Sequence, residues 1–526
     1  MDNLKNFYVT TAIHYANAKP HIGHAFENLL GDVLFRYNRD LLGNNSYFLT
    51  GTDEHGQKIK EKALEKGFDN AQEFVDENVG FFKEMNNELM VEPSQFIRTT
   101  SEYHKKGAQE FWQKLEEKGD IYKDEYKGLY CVGCEAFYAE KDLSDGLVCP
   151  IHLKKVEEVE EENYFFKLSK YSDEIKSLIE SDTIRVRPDS RKKEILSVLE
   201  EGLRDVSFSR NKKKMDWGVP VPGDEDHVMY VWCDALTNYV TALGYGENGS
   251  PDGNLMTDFW PVDKHIIGKD ILRFHAGIWI GMLLSAELPL PLEICVHGFI
   301  TSEGHKMSKS LGNVVDPMEI AEKYGEEVLR FFLVREIPTG SDGDFSMERF
   351  KVVYESDLQN NFGNLLSRSV SMVNKYLDGE VDFGLIEDGD KFEFIGDYTD
   401  CYESYVDGMM NFEMKKSFEG VLKFLSKLNQ YIEDTQPWGL NKEGKVEELG
   451  VVMANLIYGI SLAVRMLYPV IPGKAGVAFE VLGLKLDDNV LSFNFVSEKG
   501  LSGKHKVAEK VSPLFPRIEW EVEEEA

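Results

Sequence analysis

A chain of 526 residues with 42% apolar and 12% aromatic content is globular and too long for a single core, so roughly two to four domains are expected. Its formal charge of −33 excludes a protein that grips nucleic acid over its whole surface, since phosphate binding needs Lys and Arg; any RNA contact has to be local. Six cysteines are too few for a disulfide scaffold, the N-terminus shows no basic flank followed by an apolar run, and the greasiest segments, Ala276–Ala286 and Gly450–Val464, fall short of the roughly 18 apolar residues of a membrane span, which together predict a cytoplasmic protein with no membrane contact. Asn6–Thr11 is an apolar, β-prone run, and Ala25–Leu42 follows with helical spacing of Phe26, Leu29, Leu30, Val33 and Tyr37. A second strand at Ser46–Leu49 leads into Gly51-Thr52-Asp53-Glu54-His55-Gly56, the way a doubly wound sheet places polar groups at its carboxyl edge. From Glu116 to Pro222 the texture changes to Cys, Lys and Glu with short β-like pieces, and the acidic run Glu157–Glu162 is expected to be solvated surface. Sheet-like texture returns at His227–Trp232, His265–Ile267 and Ile294–Ile300; the chain then becomes helical at Leu358–Tyr376, Phe412–Thr435 and Val446–Leu467. The predicted fold class is α/β: a Rossmann-like doubly wound domain in two halves (1–115 and 226–297), split by a connective insertion (116–225), then a loop-bearing linking region (298–357) and an all-α bundle (358–526).

Two short signatures carry the chemistry. His21-Ile22-Gly23-His24 sits where the first strand turns into the first helix, so backbone amides and the helix dipole face whatever lies above the sheet, an arrangement suited to phosphate. Gly23 allows close approach of a purine or ribose, and the two imidazoles donate hydrogen bonds to phosphate oxygens as charge builds on them. Much later, Lys306-Met307-Ser308-Lys309-Ser310 follows a strand-like run on a loop free to move, where two ammonium groups clamp a triphosphate and neutralise departing pyrophosphate. Either alone could be a pair of loop histidines or a solvated basic turn; the pair, in this order, decides. The rival ATP site at Gly439–Lys445 fails as a Walker A loop, because Val446 replaces the required Ser or Thr and no strand precedes it. A separate cluster, Cys131, Cys134, Cys149 and His152, offers three thiolates and an imidazole in two close pairs, which points to one structural Zn²⁺ per chain with no open position for catalysis. Cys233, Cys295 and Cys401 have no such partners and are expected in the core.

Together the signatures resemble the HIGH and KMSKS elements of class I aminoacyl-tRNA synthetases, and the surrounding sequence resembles the methionyl-tRNA synthetase family from Thr10 to about Trp438. Thr50–Gly56, Trp217–Pro222, Tyr230–Thr237 and Ile267–Ile271 are the stretches that carry it. The resemblance implies a methionine pocket lined by Ala12, Ile13, Tyr15, Trp232, Ala235, Leu236, Tyr239, Ile271 and His275, with Asp53 holding the substrate ammonium. A thioether makes almost no hydrogen bonds, so selection by shape, desolvation and sulfur–aromatic contact fits such a lining. It further implies ATP binding by His21, Gly23, His24, Lys269, Asp270, Lys306, Ser308 and Lys309, catalysis by His21, His24, Lys306 and Lys309, and Mg²⁺ accompanying ATP. One departure is His14, at the pocket's edge, where the family carries Pro or Tyr. Siblings that activate Ile, Val or Leu hold a large editing domain at the insertion; here that segment has only about a hundred residues, and its cysteines resemble the family's single zinc knuckle.

At the helical end, Asn364 and Arg368 share one helix face and Trp438 follows Gln436-Pro437; stacking by Trp and paired hydrogen bonds from Asn and Arg are how unpaired bases are recognised. By resemblance these three read the anticodon of tRNA(Met). The expected activity is therefore ATP-dependent activation of L-methionine and its transfer to the 3′-terminal adenosine of tRNA(Met). The alternatives are a catalytically silent tRNA-binding paralogue, which has no need of intact signatures, and a synthetase for another apolar or sulfur amino acid. Dimeric relatives append a further tRNA-binding module, and the chain stops soon after Leu514–Ile518, so a monomer is expected.

Overall fold

Strands buried on both faces belong to parallel sheets covered by helices, and that pattern organises the first half of this computed structural model. It describes residues 5–131, 136–138, 140, 143–144, 146–150, 154–246, 249–307, 313–386, 392–486, 491, 493 and 501–520. The central sheet is built from β1 (Asn6–Thr11), β2 (His14–Tyr15), β3 (Asn45–Asp53), β4 (Gln95–Arg98), β5 (Arg185–Arg187), β6 (Lys264–Gly268) and β7 (Glu293–His297). All its pairings are parallel: β4 on β3, β3 on β1, β1 on β6, β6 on β7, β7 on β5. β2 continues β1 along β3 after a one-residue slip, Thr10 lying opposite Leu49 and His14 opposite Thr52. Strand order reverses between β1 and β6, and ligands of doubly wound sheets bind at that switch, beyond the carboxyl ends of the strands.

The segment 116–225 forms a four-stranded antiparallel sheet with Ile121–Cys131 and Glu157–Phe166 at its centre, yet it also sends β5 back to the edge of the central sheet. Glu157 and Glu158 of the acidic run are exposed, as expected, although they pair in a strand. Helices Ile395–Met410, Met414–Thr435 and Val446–Leu467 make the C-terminal bundle. The last is apolar enough to span a membrane by composition, but 89% of its apolar window is buried inside the protein, so it is a core helix. Cys233, Cys295 and Cys401 are buried.

Helix α1 (Ile22–Arg36) connects the two halves. Every residue from Ala25 to Arg36 is buried, including Glu27, Asn28, Asp32 and Arg36. Asp32 accepts from Arg36 at 2.8 Å and from Arg330, which is fully buried, at 2.7 Å. Arg330 also donates to the carbonyls of Leu89, Pro469 and Val470, so one guanidinium joins the sheet's covering helix to the bundle. Removing one partner of a buried pair leaves the other uncompensated. Arg330→Met is therefore expected to cost about 3–5 kcal/mol, seen as a lower denaturant midpoint, whereas Arg39→Met, whose pairs with Asp40 and Glu92 are partly exposed, is expected to cost under about 1 kcal/mol.

Candidate functional site

The first signature is a helix cap made of imidazoles. His21 is the N-cap of α1, with extended backbone, and its Nδ1 accepts from the Gly23 amide at 3.1 Å. In return His24 Nδ1 accepts from the His21 amide at 3.1 Å. Two of the donors that a helix start leaves unsatisfied are thereby paired. Because both Nδ1 atoms accept, the proton of each neutral ring is on Nε2, and each imidazole is a donor through that atom. The rings lie 3.9 Å apart. Burial, then the neighbouring His21 and His14, hold His24 well below the ordinary imidazole range, so it is neutral at pH 7. Gly23 has a reason beyond ligand approach: a Cβ there would lie 2.9 Å from His21 Cε1 and displace the capping ring.

One flank of the second signature comes to the same place. Ile300–Ser302 and His305–Lys306 form a hairpin whose turn residues, Glu303 and Gly304, both have positive φ, as a tight two-residue hairpin requires. Met307 packs on the main core, and the Val315 carbonyl accepts from the Ile22 amide at 3.2 Å, a further donor of the α1 start. The segment that follows the loop is thus held at the start of the imidazole-capped helix. Ser308 and Lys309 themselves, and the Lys306 side chain, lie outside the described residues.

At the carboxyl ends of β1, β3 and β6 the expected pocket residues gather. Ala12, Leu236 and Tyr239 are members of one core cluster, with Ile13, Tyr15, Trp232 and Ile271 half-buried against it and Ala235 buried nearby. Asp53, 4% exposed, pairs in register with Tyr15 at the end of β3. The Tyr239 hydroxyl donates to His275 Nε2 at 2.7 Å, and His275 Nδ1 donates to the Ile271 carbonyl at 3.1 Å. Both nitrogens are thus used by a neutral ring, and burial pulls His275 down to about 4. Trp232 stacks on Phe274 at 3.9 Å, nearly parallel, and stands edge-on to His275 at 6.3 Å. Lys269 and Asp270 lie just past β6. Lys269 is held by Asp342, with both carboxylate oxygens at 2.7 Å, and its ammonium sits over the Phe299 ring.

Three supports lie outside the residues picked out from sequence. Glu27, 7% exposed, accepts from the Ala12 amide and from His297 Nε2, each at 2.8 Å. His297 Nδ1 lies against the Gly298 carbonyl at 2.8 Å, so both its nitrogens donate; burial opposes its charge, but Glu27 raises its pKa. The ion pair thereby ties the ends of β1 and β7 at the switch point. Asp234 joins His55 at 2.6 Å and His104 at 2.8 Å, linking the end of β3 to the helix that carries Trp232. Burial opposes its ionisation, yet the two imidazoles hold it down to about 2. Phe274 is the third. Its adjacency to His275 was a usable signal; nothing local marks Glu27 or Asp234 as buried.

Comparisons with known proteins identify the family. A family model described as tRNA synthetases class I (M) matches residues 7–157 and 147–370. The methionine–tRNA ligase of Thermotoga maritima is 43% identical over 90% of this chain and 74% of its own length, and that of Fusobacterium nucleatum is 41% identical over 99% and 81%. The solved structure of Mycobacterium tuberculosis methionyl-tRNA synthetase bound by methionyl-adenylate superposes with a TM-score of 0.90 at 37% identity, covering 97% of this chain and 100% of that one. The chain belongs to the methionyl-tRNA synthetases. Methionine–tRNA ligase activity, adenylate formation followed by charging of tRNA(Met), goes with that membership.

Two peripheral sites of this synthetase were also expected. Cys131, at the end of its strand, and Cys149, in a short hairpin, are buried in one small cluster with Val156; Cys134 and His152 lie outside the described residues. In the bundle, Arg368 and Trp438 line one groove of about 380 Å³ with Ser371, Met372, Lys375 and Tyr376. Trp438 is 41% exposed, and Arg368 bonds Glu433 at 2.8 Å. Asn364 is exposed one turn before Arg368, beside the groove rather than in its lining.

The pH behaviour of the pocket follows from His275. Its folded pKa, about 4, is depressed from 6.5, so its stabilisation is present above pH 6.5 and is lost as pH falls toward about 4. The loss amounts to about 3 kcal/mol. Replacing it by Gln is expected to flatten that part of the stability–pH curve, as measured by denaturation at a series of pH values.

Proposed function

We propose that the cleft at the β1/β6 switch point activates methionine through the residues gathered there. Methionine's thioether enters among Ala12, Ile13, Tyr15, Trp232, Ala235, Leu236, Tyr239, Ile271 and His275, and its ammonium meets Asp53. ATP, accompanied by Mg²⁺, lies over the start of α1 beside Gly23, with Lys269, Asp270 and Ser308 completing its site. A carboxylate oxygen of methionine attacks the α-phosphorus in line; the bond from that phosphorus to the bridging oxygen of the β-phosphate breaks, and pyrophosphate leaves. His21 and His24 donate through Nε2 to the reacting phosphate, and Lys306 and Lys309 neutralise the β- and γ-phosphates. The ribose hydroxyl of the terminal adenosine of tRNA(Met), at the 2′ position as in other class I enzymes, then attacks the methionyl carbonyl and AMP departs. These are the partners of cytoplasmic translation. Trp438, Arg368 and Asn364 would receive the anticodon, by stacking and by hydrogen bonds to base edges.

The observation that carries this reading is the Ile22–Val315 bond, which brings the flank of the lysine-bearing loop to the imidazole cap. The test is methionine-dependent ATP–pyrophosphate exchange, run beside Ile, Leu, Val and Cys. Exchange with methionine alone is expected, and Lys309→Ala is expected to slow it about a thousandfold; an unchanged rate would remove Lys309 from the mechanism.

Cys131, Cys134, Cys149 and His152 would hold a structural Zn²⁺. The convergence of two buried thiols in one small cluster fits the donor set such an ion takes. When bound, the ion cross-links the knuckle. Elemental analysis is expected to find about one zinc per chain, and Cys131→Ser to lose it; a metal-free wild-type protein would refute the site.

A further inference from the structure

Beside the phosphate-facing pair lies a third imidazole that the reaction as described does not use. His14, 6% exposed, stacks on Phe82 with centroids 5.5 Å apart and planes 15° from parallel. Its Nε2 lies 2.9 Å from Asn28 Oδ1. That oxygen also accepts the Thr50 hydroxyl at 3.2 Å, while the Asn28 amide group donates to Asn86 at 2.8 Å. Asn28 therefore presents His14 with an acceptor, and the proton of the ring is on Nε2. One edge of His14 is fixed by that bond and one face by Phe82.

The other side of His14 meets His24, edge-on at 4.8 Å. His24 is in turn enclosed by His14, by Phe82 edge-on at 5.3 Å and by His21 at 3.9 Å. Protonation of His24 would place a hydrogen on Nδ1, the atom that accepts the His21 amide, so that donor would face donor and the cap would open. The neutral ring is thus the one compatible with the observed geometry. Among the described residues, the titratable groups facing it are His21, from its own cap, and His14, from β2; helix Ala71–Glu88 contributes the apolar ring of Phe82. Each imidazole repels a second positive charge, in the same direction as burial.

We propose that His14 is a positioning residue for adenylate formation: wedged between Asn28, Phe82 and His24, it fixes the plane of the His24 ring and opposes its protonation, keeping the Nε2 donor aimed as pH falls. The inference rests on the reading of His24 as a donor to the reacting phosphate. The sign follows from the neutral ring being the active one. Activity is lost as pH falls through the His24 pKa, and removing His14 lets that pKa climb back toward the ordinary value, so the acid limb moves to higher pH.

The test is methionine-dependent pyrophosphate exchange from about pH 5 to pH 8 in the wild type, His14→Phe and His14→Gln. Phe keeps a ring against His24 and Phe82; Gln keeps a donor for Asn28; neither titrates. Both are expected to move the acid limb of kcat upward by about half a pH unit. Gln, lacking the ring, is also expected to lower the plateau kcat about tenfold with KM for methionine unchanged. A merely structural His14 would lower the melting temperature and leave the limb in place, so coincident limbs in both variants overturn the proposal, as does a loss confined to KM for methionine. His24→Asn separates the two possible failures. If it leaves exchange unchanged, the reading of His24 is wrong; if it abolishes exchange while the limbs coincide, only the role of His14 falls.

Discussion

A helix buried on every side cannot carry polar side chains unless each finds a partner, and α1 carries four in the stretch from Ala25 to Arg36. Glu27 is met by the Ala12 amide and His297; Asn28 by His14, Thr50 and Asn86; Asp32 by Arg36, Arg330 and the Glu92 amide; Arg36 also by the Met90 carbonyl. These partners come from the end of β1, from β2, β3 and β7, from the far end of helix Ala71–Glu88 and the residues just after it, and from the helix that leads into the bundle. Satisfying one helix therefore fixes the relative position of most of what surrounds the cleft. The imidazole cap at its N-terminus inherits that rigidity, which is what a site working mainly by positioning needs.

The two signatures, on the proposed reading, do different physical work. The first is immobilised: both its imidazoles are committed through Nδ1 to the helix start, and each is left a donor through Nε2. Of the second, the described flanks are held by the hairpin at Lys306 and by the Val315–Ile22 bond. If the proposed roles hold, a fixed donor pair suits the phosphorus that changes bonding, where displacement is costly. A loop suits the departing pyrophosphate, which must be gripped and then released.

Much of this was legible in the sequence, and the exceptions have physical reasons. Asn6–Thr11 and Val446–Leu467 form the elements expected, because uninterrupted burial leaves an apolar run that composition reveals. β3 extends past Leu49 to Asp53, since Thr50, Thr52 and Asp53 are buried at the sheet's end where polarity is functional. The strand expected through Trp232 stops at Met229, and Tyr230 begins the helix Val231–Leu236, tertiary packing overriding β-propensity. β5 could not be seen: three residues, two of them Arg, carry no periodicity, and only their pairing with Glu293–Cys295 makes them a strand. Among site residues, the signatures announce themselves by pattern. Glu27 and Asp234 do not, because an acid within an apolar helix is ordinarily solvent-facing and the histidines that hydrogen-bond these two lie far away in sequence.

The charge arrangement of the cleft runs against that of the whole chain. A protein of formal charge −33 must bind a triphosphate and bring a carboxylate, another anion, against it. General surface attraction cannot supply this, and the field of the chain opposes it. The described part of the site answers by local means: fixed N–H donors on neutral rings at the start of α1, where the proposal puts the phosphate, and a buried Glu27 paired with His297 so that it adds little net repulsion at the switch point. Deeper in, the proposed methionine pocket keeps His275 neutral by giving each nitrogen a neutral partner. A charged imidazole there would demand an anion or water, and either would compete with a thioether that can offer only dispersion and sulfur–aromatic contact. On the proposed reading, neutral histidines serve both halves of the reaction for the same reason, since an oriented dipole stabilises developing charge without imposing the desolvation cost of a fixed ion.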